Sequence, residues 1–81
     1  MMNSHDIGRL IKSAIPDAEV QVRGEDGEHF AAVVVSPTFR GMPLVKQHQM
    51  VMKVLKDAFD GPLHALAVKT YTPENRTKDG A

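Results

Sequence analysis

The longest unbroken apolar stretch in this sequence is six residues, FAAVVV at positions 30–35. A membrane helix needs roughly 20, so no span is read here. A short, β-branched run suits a central strand of a sheet, and such a strand needs neighbours on either side. The flanking pattern supplies them. Ala18, Val20 and Val22 alternate with Glu19, Gln21 and Arg23, the period of a half-buried strand. Between the two lies Gly24-Glu25-Asp26-Gly27, where Asp-Gly is a hairpin signal. A two-residue loop at Asp26-Gly27 pairs Val22 with Ala31. A one-residue shift pairs Val22 with Phe30, puts Phe30, Ala32 and Val34 on the buried face, and leaves His29 at the edge of a longer loop. The second register is preferred because it buries the phenyl ring.

The period changes to that of a helix on both sides. Ile7, Leu10, Ile11 and Ala14 fall at i, i+3, i+4, i+7. Ser4 is the expected N-cap, with Asp6 in the first turn favoured by the helix dipole. Pro16 ends this helix, and Gly8 weakens it by about 1 kcal/mol relative to alanine. Residues 36–41 read as a connector with one tight helical turn. Pro43 is expected at the first position of a long helix reaching about Phe59. Its expected inner face is Leu44, His48, Val51, Leu55 and Ala58/Phe59. Gly61 and Pro62 end it. A third strand over residues 64–71 places Leu66 and Val68 on one face, Pro73 ends it, and residues 74–81 read as a frayed polar tail.

The resulting order, αββαβ, predicts an α+β fold. Three strands form a sheet covered on one face by helices, and the helical link between the second and third strands allows them to lie parallel. At 81 residues the chain is one domain, 1–81, with an ordered core of about 5–73.

Charge adds a second constraint. Lys plus Arg and Asp plus Glu each total 10, so bulk electrostatics give no pull towards nucleic acid or membrane. Locally the chain is polarised. Residues 17–28 hold five acids and one base, while residues 36–56 hold Arg40, Lys46, Lys53 and Lys56 and no acid. The second segment is either a solvated face or a surface for an anionic partner. There are no cysteines, which excludes disulfides, a thiolate nucleophile and any zinc or iron–sulfur site built from this chain's own sulfurs. No basic start followed by an apolar stretch opens the sequence, and a reducing cytoplasm is the expected location.

Catalytic patterns are sparse. None of Ser4, Ser13 and Ser36 sits in a nucleophile elbow, and Gly41-Met42-Pro43-Leu44 lacks the second glycine and the lysine of a phosphate loop. The acidic turn at Glu25, Asp26 and Glu28 lacks calcium-loop spacing. With so little chain for a pocket, no enzyme is expected. Four histidines remain. His5 lies near one end, and His48 falls on the apolar side of the long helix. His29 and His64 each stand where a loop becomes a strand. If those strands are parallel neighbours, both imidazoles lie at one end of the sheet. Two imidazoles do not complete a metal shell, so further ligands must come from elsewhere.

Three stretches resemble the BolA family: Gly27-Glu28-His29-Phe30 leading into Val33-Val34-Val35-Ser36, Phe39-Arg40-Gly41-Met42-Pro43-Leu44-Val45-Lys46-Gln47-His48, and residues 64–73, HALAVKTYTP. The resemblance covers roughly residues 7–74. It implies an αββααβ fold similar to a class II KH domain, with the 37–40 turn as the extra short helix. It also implies partnership with a monothiol glutaredoxin around a bridging [2Fe–2S] cluster. The glutaredoxin cysteine and a glutathione supply sulfur, and this chain supplies His64 and, from the loop between the first two strands, His29. That ligand set resembles a Rieske centre. Arg40, Lys46, His48 and Lys53 mark the surface for the partner or for nucleic acid. Alone, the protein is expected to be a monomer or weak homodimer without cofactor. The family is associated with iron homeostasis, stress response and transcriptional regulation.

The chain departs from the family pattern in three places. Gln47-His48-Gln49 stands where many members have Arg-His-Arg, no tyrosine lies near Met52, and no tryptophan follows Thr72-Pro73. The loss of two positive charges weakens the alternative reading, a nucleic-acid-binding transcriptional regulator.

Overall fold

The computed structural model describes residues 4–24, 29–58 and 65–78. Helix α1 (Ser4–Ala14) leads into strand β1 (Glu19–Arg23), strand β2 (His29–Val35) and a 3-10 turn (Pro37–Phe39). Helix α2 (Leu44–Ala58), strand β3 (Ala65–Tyr71) and helix α3 (Pro73–Lys78) follow. The sheet order is β1-β2-β3, with β1 antiparallel to β2 and β2 parallel to β3. This is the α+β architecture expected from the sequence, with the apolar run at its centre.

The core lies between the sheet and helices α1 and α2. Ile7 and Ile11 of α1, Ile15 just beyond it, Ala32 and Val34 of β2, Phe39 of the 3-10 turn, and Val51 and Leu55 of α2 are all buried. Phe30, Val20, Val22 and Val68 pack against them from the same sheet face. The opposite sheet face carries Glu19, Gln21 and Arg23, the exposed half of the alternation in β1.

The hairpin register differs from both expected pairings. Val22 lies opposite Ala32, and Arg23 opposite Ala31, a two-residue step beyond the preferred one. Parity is preserved, so Ala32 and Val34 still point inward beside Phe30. The cause is Gly24. A Cβ there would stand 2.3 Å from Cδ1 of Phe30, so the phenyl ring occupies the space that the missing side chain leaves. A ring laid over a glycine near a strand end shields backbone and pins the register.

Helix termini also differ. Ser4 is the first residue of α1 rather than its cap. Pro16 acts as expected: the last α-helical bond runs from the Ile15 N–H to the Ile11 carbonyl at 2.9 Å, and Lys12 Nζ donates to the Ala18 carbonyl at 2.6 Å. Pro43 precedes α2, its carbonyl accepting from the amides of Lys46 and Gln47, which is the N-cap role. The inner face of α2 is the expected one at Val51 and Leu55 but differs in the first turns. Leu44 is 58% exposed, whereas Gln47 is buried with Val51 and Leu55. The reason is polar. Gln47 Nε2 donates to the Met42 carbonyl at 2.8 Å, and its Oε1 accepts from Thr70 Oγ1 at 2.7 Å. That pairing turns an amide inward and leaves the leucine to solvent.

Residues 74–78, expected as part of a frayed tail, form α3 together with Pro73. Thr72 caps it: its Oγ1 accepts from the Asn75 amide at 3.2 Å, Pro73 takes the first position, and Glu74 sits in the first turn. This is a standard start signal. Arg76 then lies 5.5 Å over the Tyr71 ring, a cation–π distance. The expected third-strand start at residue 64, the helix end near Phe59, and the cap at Gly61-Pro62 lie outside the described residues.

Candidate metal-ligand rim and partner surface

His29 opens β2 and is exposed. The register of the parallel pair sets it opposite Ala65, the residue that follows His64 in the chain. The starts of β2 and β3 therefore share one end of the sheet, as parallel neighbours must. Along β2, His29 falls on the same side as Ala31, Val33 and Val35, away from the helices. His64 lies outside the described residues. Among the described residues no three His, Asp or Glu side chains form a group able to hold a metal ion. Any site at this rim is therefore completed by donors from beyond the described structure.

The four residues expected on a partner surface fall into separate environments. Lys46 and Lys53 are exposed and two helical turns apart, so they share the outer stripe of α2. His48 is half-buried on the flank of that helix. Arg40 lies in the turn before α2, and its guanidinium binds the Glu74 carboxylate. Nε donates at 3.1 and 3.2 Å, and Nη2 makes a close contact with Oε1. This fork-to-carboxylate contact holds Glu74 below and Arg40 above their ordinary protonation ranges. It joins α3 to the turn before α2. Position 47 is not part of the exposed surface, so of the two glutamines flanking His48 only Gln49 faces solvent.

A polar cluster unread in the sequence braces the 3-10 turn. Ser36 is fully buried. Its Oγ donates to Asp17 Oδ1 at 2.5 Å and accepts from the Thr38 amide at 3.0 Å. Thr38 Oγ1 donates to Asp17 Oδ2 at 2.8 Å. The two hydroxyl donors hold the Asp17 carboxyl below its usual range. The local signal was present, since Ser-Pro places a cap before proline at the first helical position. The long-range partner Asp17 had none.

Comparison with known proteins agrees with this geometry. Residues 10–75 match the profile of the BolA-like protein family. The chain belongs to the BolA-like family. Acid stress protein IbaG of Escherichia coli is 35% identical over 79 residues, spanning 96% of this chain and 93% of that protein. A BolA protein homologue from Coxiella burnetii is similar in structure. It has a TM-score of 0.80 at 37% identity and covers 95% of this chain and 99% of that one. The BolA domain of SufE1 from Arabidopsis thaliana gives 0.74 at 29% identity, over 93% of this BolA-like chain and 99% of that domain. No helix among the described residues is long and apolar enough to cross a membrane.

Proposed function

We propose that this BolA-like protein is a non-enzymatic adaptor that pairs with a monothiol glutaredoxin in iron–sulfur handling under stress. In this reading His64 and His29 donate imidazole nitrogens to a [2Fe–2S] cluster held between the two proteins. The observation that carries the reading is the parallel pairing of β2 with β3 and the register of His29 with Ala65. His64 is joined to Ala65 by one peptide unit, about 3.8 Å between Cα atoms. A backbone that sets His29 opposite Ala65, the chain neighbour of His64, suits a shared ligand pair.

The donor set fits such a group. The chain has no thiolate, so sulfur must arrive from the glutaredoxin cysteine and glutathione, while neutral imidazoles satisfy the second iron. The chemistry supplied when the cluster is bound is a one-electron couple and a transferable iron–sulfur unit. For this chain the task is to present an exposed imidazole on a rigid strand and to keep it neutral. The exposed Lys46 and Lys53 on α2 suit an acidic partner face or the glutathione carboxylates. Such work belongs in a reducing cytoplasm, where a thiol partner persists.

Nucleic-acid binding through the KH-like fold finds less support. Of the four marked residues Arg40 already binds Glu74, which leaves Lys46 and Lys53 as the exposed cations for phosphate.

The test is anaerobic reconstitution with monothiol glutaredoxin, glutathione, iron and sulfide. Adding this protein should reshape the visible CD spectrum of the glutaredoxin cluster, and His64→Ala should abolish the change. An unchanged spectrum with the wild-type protein overturns the proposal, as does a His64→Ala variant that behaves like wild type.

A further inference from the structure

Strand β1 lies at one end of the sheet, and among the described residues it pairs only with β2, along one edge. Beside its other edge runs an open groove of about 900 Å³ between α1 and β1, lined on the sheet side by Ala18, Val20 and Val22 and on the helix side by Gly8, Arg9 and Lys12. An exposed strand edge is a template for pairing, and proteins usually blunt it with charged side chains or proline. This one has no proline, and its two charges are of opposite sign. Its sequence, Glu19-Val20-Gln21-Val22-Arg23, reads as its own charge complement when reversed.

We propose that the free edge of β1 pairs antiparallel with the same strand of a second copy of this chain, with the two-fold axis through Gln21. In that register Glu19 of each copy stands opposite Arg23 of the other. Both are exposed residues on the outer face. Val20 stands opposite Val22 on the inner face, where both are half-buried. Such an interface is isologous, as two-fold symmetry demands, and it joins two three-stranded sheets into one of six strands. The groove leaves room beside the strand, and valine at two of its walls gives the incoming strand an apolar seat.

The charges select the register. A parallel, in-register pairing sets Glu19 against Glu19 and Arg23 against Arg23, which is unfavourable for groups directly opposite. An antiparallel slip of two residues sets the charges against Gln21 and loses both attractions. Only the register centred on Gln21 satisfies both charges twice. Five residues per copy make a small contact, below the area typical of permanent dimers, so the association is reversible and concentration-dependent. The paired edge is the one remote from β3, so dimer formation leaves the rim at His29 and Ala65 accessible. The inference is independent of the cluster-binding reading.

Charge reversal tests it. Analytical ultracentrifugation of the wild-type chain should show a monomer–dimer equilibrium. E19R and R23E each turn two attractive pairs into repulsive ones, so each variant should self-associate at least about tenfold more weakly. Mixing E19R with R23E should restore association, because every opposed pair in the mixed dimer is again of opposite sign. The double variant E19R/R23E should dimerise like wild type. All positions are exposed, and far-UV CD checks that each variant keeps its fold. Three results overturn the proposal: a wild-type chain that stays monomeric up to millimolar concentration, single variants that dimerise as well as wild type, and a mixture that fails to associate.

Discussion

Replacing Gln47 by methionine isolates the polar junction that fixes how α2 sits on the sheet. The two side chains are similar in length and volume, so the change removes hydrogen bonds without opening a cavity. In the native fold Gln47 makes two bonds of ordinary length, to the Met42 carbonyl and from the Thr70 hydroxyl, and a marginal one to the Phe39 carbonyl at 3.5 Å. Thr70 is only 7% exposed, so its hydroxyl finds little water once the amide is gone. Each stranded buried group costs about 1–3 kcal/mol. Discounting for partial rescue by solvent, Gln47→Met should lose about 2–4 kcal/mol. A domain of this size has only about 4–12 kcal/mol in total. The melting temperature should fall by about 8–32 °C, at about 4–8 °C per kcal/mol. Urea unfolding followed by far-UV CD measures the loss, with an unchanged slope confirming that the unfolded state is the same. Thr70→Val removes the opposing hydroxyl. The double variant should be less destabilised than the sum of the singles by about 1–2 kcal/mol, the coupling of two groups in contact. Loss under 0.5 kcal/mol in Gln47→Met, or strict additivity, refutes the reasoning.

Phe39→Ala empties a site that is 1% exposed and should lose about 3–5 kcal/mol; retention of a sharp urea transition near the wild-type midpoint argues against its place in the core. Gly24→Ala puts a Cβ 2.3 Å from the Phe30 ring and should lose about 1–3 kcal/mol through overpacking. The Phe30 ring protons should shift in NMR spectra, and unshifted ring signals contradict the register argument. The Asp17 carboxyl is lowered by the hydroxyls of Ser36 and Thr38. Its contribution is therefore present above the unfolded aspartate value of about 4 and is lost as pH falls through that value towards the folded one. Asp17→Asn should flatten this part of the acid-unfolding profile, and an unchanged profile removes Asp17 from the account.

The apolar pattern carried most of the fold. Alternation in β1, the run in β2 and the helical spacing in α1 each reflect a face that must be buried, and burial leaves a period in the sequence. Polar contacts between distant segments leave none. Gln47 looks like a surface residue until Thr70 and the Met42 carbonyl are brought to it, so the inner face of α2 was expected around Leu44 and His48. The hairpin register depended on a contact between Gly24 and Phe30, which no local turn rule encodes. Thr72-Pro73 and Ser36-Pro37 did carry cap signals, and α3 could have been found from the first of them. Of the candidate site, the position of His29 at a strand start was legible. The engagement of Arg40 by Glu74 was not, because the partner is 34 residues away.

The central claim is that imidazole nitrogen from this chain reaches iron. Pulsed electron paramagnetic resonance of the reduced, glutaredoxin-bridged cluster, prepared with this protein labelled with ¹⁵N-histidine, tests that most directly. The account predicts strongly coupled ¹⁵N signals that persist in His48→Ala, lose one of two contributions in His64→Ala or His29→Ala, and disappear when both histidines are replaced. A spectrum without strongly coupled histidine nitrogen in the wild-type complex contradicts it.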